Sequence, residues 1–318
     1  MILSENIRRE VVLHPFGKSA RGGNGIKWFT QNWDDVGPKF ANVLKQGCSS
    51  EDVIGIGDHL RSFFKGQAND DDNALLDKYQ RNTMVGTVGD GWQSLISYYL
   101  NLGYLGSHAI ALTRSFVPKT VKDILSVSYT DGSVNADIDI ALISNPQISR
   151  EASSGNFATD VKRFDEIIKN SLSETSLIVI QSKTNWNENA QIPMLWDLLY
   201  SQVREGSPST NYRIGADYAT LQDLSYFGYS FMTVPTNDRA VKIEPNRVEA
   251  RRVRHLSMGA YWGMKSKQGV IKSIKCFFAD AHSKCADHFP RPIHVGVEAC
   301  NAVHGRPYIG DFEAFHIS

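Results

Sequence analysis

Apolar and polar positions follow two different periods along this chain. Between residues 92 and 101, Trp92, Leu95, Ile96, Tyr99 and Leu100 recur at helical spacing and predict a helix that Gly103 and Gly106 end. Gly86, Gly89 and Gly91 just before it predict a turn-rich break. Residues 108–112 and 134–143 read as strands, the second following an Asp131-Gly132 turn. A polar insertion over 145–176 carries a predicted helix at about 157–172. The apolar run 177–183 is the strongest strand signal in the chain, and 226–234 gives another. Pro193 suits the first turn of a helix running to about 203, and Asp70-Asp71-Asp72-Asn73 suits a helix start. Helices and strands in this order predict an α/β or α+β protein with a mixed central sheet flanked by helices.

The chain has 318 residues, 42% of them hydrophobic and 21% charged, which is enough apolar material for a packed core and excludes wholesale disorder. Its 34 basic and 34 acidic residues balance, so it is not a simple basic coat protein. No stretch approaches the roughly 20 apolar residues of a membrane span. The first ten residues carry charge where a secretory leader has an apolar run, and Cys48, Cys276, Cys285 and Cys300 form no disulfide framework. These features predict a cytosolic protein with reduced cysteines. The glycine-rich stretch 15–25 lacks the glycine spacing of a phosphate-binding loop before its Gly17-Lys18-Ser19 and reads as a surface loop. Charge is uneven further on: residues 239–275 hold ten Lys and Arg against Glu244 and Glu249. Three regions follow: an N-terminal recognition or dimerisation segment over 1–84, a core over 85–235, and a basic C-terminal region over 236–318.

Candidate chemistry gathers in two of the strands. Side chains alternate along a strand, so Asp137 and Asp139 project from one face while Val134, Ala136, Ile138, Ile140 and Leu142 share the other. In the second strand Gln181 and Lys183 end the face that begins with Leu177 and Val179. Paired with those ends adjacent, the strands would bring together two carboxylates, an amide oxygen and an ammonium. Such oxygen donors suit Mg²⁺, and a neighbouring lysine suits a water nucleophile and a phosphate in flight. The same polar pairs also suit ordinary strand ends.

Asp139 before an apolar run, followed by Gln181-Ser182-Lys183 closing another, resembles the PD-(D/E)xK nuclease superfamily in its Gln-x-Lys form. The flanking predicted helices fit that family's α-β-β-β-α-β order, and the resemblance covers roughly residues 85–235. It implies a restriction-endonuclease-like core. Asp139, Gln181 and the Ser182 backbone carbonyl would be metal ligands, Lys183 the catalytic lysine, and Mg²⁺ the cofactor, with Mn²⁺ as a substitute. The 42-residue gap between Asp139 and Gln181 requires the 145–176 insertion to loop out, and the neutral Gln181 leaves a missing charge that Asp137 is expected to supply.

The expected activity is that of a type II restriction endonuclease on double-stranded DNA, working as a homodimer matched to a palindromic site. The alternatives are a structure-specific repair or recombination nuclease and a non-catalytic DNA-binding protein. For DNA contact the sequence offers Arg247, Arg251, Arg252 and Arg254, with Asn185 and Asn187 near the metal. The first helix could bring Asp90 or Gln93 toward the site, although for Asp90 the stronger expectation is that it caps the helix. A competing metal reading is zinc held among Cys276, His282, Cys285, His288, His294, Cys300 and His304, but this stretch lacks a Cys-x-x-Cys pair.

Overall fold

The apolar run at 177–183 lies at the centre of a five-stranded mixed sheet. The structure is a computed structural model and describes residues 1–43, 50–65, 85–184, 212–234, 260–261, 274–275, 277–278 and 288–289. Four helices come first: α1 (Leu3–Leu13), α2 (Lys27–Val43), α3 (Ser50–Gly55) and α4 (Leu60–Lys65). The long helix α5 (Val85–Gly103) leads into β1 (Ala109–Thr113), α6 (Lys119–Ile124), β2 (Ser126–Tyr129), β3 (Gly132–Asn135) and β4 (Ile140–Ser144). Helix α7 (Phe157–Asn170) then connects to β5 (Ser176–Lys183), followed by β6 (Tyr212–Ile214), β7 (Tyr226–Thr233) and β8 (Ala260–Tyr261).

The main sheet has the order β1-β4-β5-β7-β8. β4 runs antiparallel to both β1 and β5, whereas β7 runs parallel to β5 and β8. The mixed α/β class read from the sequence is therefore present. A second, three-stranded antiparallel sheet has the order β3-β2-β6.

Period-two alternation sorts the main sheet's side chains onto two buried faces. Ala109, Ala111, Ile140, Leu142, Ile178, Ile180 and Met232 pack toward α5 and the aromatic residues of α2 and α4. Ile110, Leu112, Ala141, Ile143, Leu177, Val179 and Phe231 pack toward α1, α6 and α7. With both faces covered, β4 and β5 read as nearly continuous apolar runs, as buried strands do. Trp92, Leu95, Ile96, Tyr99 and Leu100 are all fully buried, and so are Tyr98 and Leu102, so α5 is covered on more than its predicted stripe. Asn101 fixes α5 to the sheet by donating to the Ala111 carbonyl (2.7 Å) and accepting from its N–H (3.1 Å).

Two predicted boundaries change. The single strand expected over 134–143 is two strands in different sheets, β3 and β4, joined by the irregular stretch 136–139. Asn and Asp fit extended ladders poorly, and here two aspartates break the run. Gly86, Gly89 and Gly91 lie inside α5 instead of forming a break. Packing overrides glycine's weak helix propensity there, because Gly91 lies against the Trp28 ring. The predicted helices near 70 and over 193–203 lie outside the described residues. Among the described residues, no helix is long and apolar enough to cross a membrane.

Candidate active site

The β4–β5 register builds the site. Ile140 pairs with Ile180 in an antiparallel ladder. Continuing that register outward sets Asp139 across from Gln181 and Asp137 across from Lys183. Both aspartates lie just before β4 begins, in the irregular stretch, and their side chains still meet the end of β5.

Asp139 Oδ2 is the hub of the cluster. It accepts from Gln181 Nε2 (2.7 Å) and from the Ser182 backbone N–H (2.8 Å), with the Ser182 hydroxyl at 3.5 Å. Lys183 Nζ lies 3.8 Å from the same oxygen and 3.9 Å from Asp137 Oδ2, so one ammonium stands between the two carboxylates. From α5, Gln93 donates to the Asp139 backbone carbonyl and holds the bend in place. The Lys183 carbonyl accepts from the Thr233 hydroxyl (2.6 Å) and the Val234 N–H (3.0 Å), fixing the end of β5 to the adjoining β7 chain.

The two carboxylates occupy different surroundings. Asp137 is exposed and also pairs with Arg114 Nη1 at 3.2 Å. The Asp139 side chain is only 13% exposed. Burial pushes its pKa up to about 6, with the nearby Asp137 adding to the rise, while the Lys183 ammonium and the Ser182 N–H act against it.

The donor set fits a divalent cation. Gln181 is 2% exposed, and its Oε1 is buried without a hydrogen-bond partner. A buried acceptor without a donor beside a carboxylate is unusual and suits an oxygen that ligates a hard cation. Asp139 and Gln181 would hold such an ion, with Asp137 adding charge at the rim. Ser182 enters the cluster through its N–H and hydroxyl. Among the described residues, no three His, Cys, Asp or Glu side chains converge as a metal cage, so an ion here would depend on the amide and on water for its remaining ligands.

The structure thus brings together Asp137, Asp139, Gln181, Ser182 and Lys183. Arg247, Arg251, Arg252, Arg254, Asn185 and Asn187 lie outside the described residues, as do the Cys and His residues of the 276–304 cluster except His288. That histidine accepts or donates a hydrogen bond with Ser225 (3.0 Å) and stacks on Tyr226. Asp90 does not cap α5, which begins at Val85. It lies one turn before Gln93, and burial raises its pKa. Arg114 was not singled out by the sequence, where it is an isolated cation after a strand. Only the pairing of Thr113 with Ile140 brings it beside the acidic bend. The chain matches no family model and no curated protein.

Proposed function

We propose that this chain is a divalent-metal-dependent endonuclease that hydrolyses phosphodiester bonds in double-stranded DNA, of the type II restriction class and with a PD-(D/E)xK core. The supporting observation is the convergence of Asp139, the unpaired Gln181 oxygen and Lys183 at the adjacent ends of β4 and β5. Mg²⁺ is the proposed ion, and when bound it would acidify a water and offset charge on the phosphate. Asp139 contributes the buried negative charge and Gln181 a neutral oxygen. Asp137 supplies at the exposed rim the second charge that Gln181 lacks. The Lys183 ammonium, set between the carboxylates, orients the attacking water and balances charge as the oxygen adds to phosphorus and the ester oxygen leaves. A homodimer would place one such site on each strand of a palindrome.

Incubation of plasmid and phage DNA with and without Mg²⁺ or Mn²⁺ tests this reading. Discrete fragments that require the metal are expected, and Lys183→Ala should slow cutting by about 10²–10⁴-fold. Cutting of junctions or flaps alone would point to repair. DNA binding indifferent to Mg²⁺, without cleavage of any substrate, would make the chain a binding protein.

A further inference from the structure

A row of cations outside the acidic cluster is built by parts of the chain far apart in sequence. The loop 17–25 is a defined turn in which Gly17 and Gly25 adopt φ values of +71° and +72°. A side chain at Gly25 would meet Gly17 N and Pro15 O at 2.7 Å, so the loop's two ends close only because glycine is there. The Glu10 carboxylate accepts from the Ala20 N–H and secures the loop to α1. This fixed turn sets the exposed Arg21 over the Phe116 ring, with its guanidinium carbon 4.8 Å from the centroid. Phe116 in turn donates its N–H to the Thr113 carbonyl in the tight turn that carries Arg114. Lys122 of α6 completes the group.

Of these three cations only Arg114 is paired with a carboxylate among the described residues. Arg114 is 75% exposed and shares Asp137 with Lys183. Neither Arg21 nor Lys122 forms a salt bridge among the described residues. Burial first, then repulsion from Arg21 and Arg114, lowers the Lys122 pKa, and Asp165 offsets this only in part. Asp165 is itself engaged with the Thr120 N–H, and Asp123 with Lys119. Folding has therefore set Lys122 within electrostatic reach of Arg21 and Arg114, and an added polyanion would favour all three charges. The row is continuous with the site: Arg21 covers the turn bearing Arg114, Arg114 holds Asp137, and Asp137 contacts Lys183 beside Asp139.

We propose that Arg21, Arg114 and Lys122 form a track that grips the phosphate backbone of duplex DNA and seats it against the Asp139–Lys183 end of the sheet. This deepens the nuclease reading and rests on it for the identity of the polyanion. The track uses charge and not base edges, so it would fix position and not sequence.

Binding of a fluorescently labelled duplex, measured in chelator across a salt series, tests the track separately from catalysis. Each lost phosphate contact lowers the slope of log Kd against log salt by about one, so Arg21→Ala with Lys122→Ala should lower it by about two and weaken binding about tenfold near physiological salt. Arg21→Lys with Lys122→Arg keeps both charges and should keep the wild-type slope, which guards against a folding artefact. An unchanged slope in the double alanine variant would overturn the track, and so would a wild-type chain that ignores duplex DNA at low salt. A protein that cuts DNA with that slope unchanged loses the track and keeps the nuclease reading. One that binds through these cations but never cuts keeps the track and loses the nuclease reading.

Discussion

Asp139 carries a negative charge in a place that resists it. Its pKa of about 6 in the folded protein exceeds the ordinary 3.8, so between those values the native state holds a proton that the unfolded chain releases. Charged Asp139 therefore weakens the fold above pH 6, and this cost disappears as pH falls through 6 toward 4. Asp139→Asn should stabilise the metal-free protein at pH 8 by about 1–3 kcal/mol and lose that advantage near pH 4, as thermal melts at the two pH values would show. That cost is in keeping with the proposed role of Asp139 as a cation ligand, whose charge a bound ion would offset. Asp139, Gln181 and Lys183 were legible in the sequence because alternation and an antiparallel register suffice to bring them together. Arg21, Arg114 and Lys122 were not, since each is an unremarkable cation until two turns and a helix assemble them.

At the scale of the element, the sequence showed strands and helices more clearly than their ends. β5 and α7 were legible from apolar periodicity alone. The acidic bend was not, because alternation in 134–143 looks unbroken on paper while the aspartates interrupt the ladder and divert the chain from one sheet to another. Helix α5 illustrates the opposite error, as its glycines suggested a break that the Trp28 contact removes. Two substitutions separate packing from propensity there. Gly91→Ala puts a methyl group 2.5 Å from Trp28 Cγ and should destabilise by about 1–3 kcal/mol. Gly89→Ala meets nothing within 4 Å and should stabilise by about 0.5–1 kcal/mol. Denaturant melts of the two variants compare them directly.

At the scale of the molecule, the N-terminal helices are joined to the sheet through two cores, one on each of its faces. Trp28, Phe29 and Phe40 share a cluster with Ile140 and Ile180, while Leu3, Ile7 and Val11 share another with Ile143 and Val179. Arg8 fixes that union. Fully buried, it donates to the Glu5 carboxylate (2.5 Å) and to the Ser107 and Ala109 carbonyls (3.0 and 2.7 Å). Burial raises the pKa of Glu5, while Arg8 opposes the rise. Removing Arg8 would leave a buried carboxylate without its cation, so Arg8→Ala should cost about 3–5 kcal/mol in a single unfolding transition that includes the sheet. Chemical denaturation followed by tryptophan fluorescence and circular dichroism would show the two signals moving together.

The orientation of one amide has a consequence for the whole cycle of use. With its NH₂ turned to Asp139, Gln181 acts as a latch that keeps the empty carboxylate company. In the proposed nuclease the other end of the same amide, the unpartnered Oε1, is the atom that would meet the ion, so the latch on Asp139 would stay closed. One side chain would then tie Asp139 to the proposed ion, and a shift of either would be felt by the other.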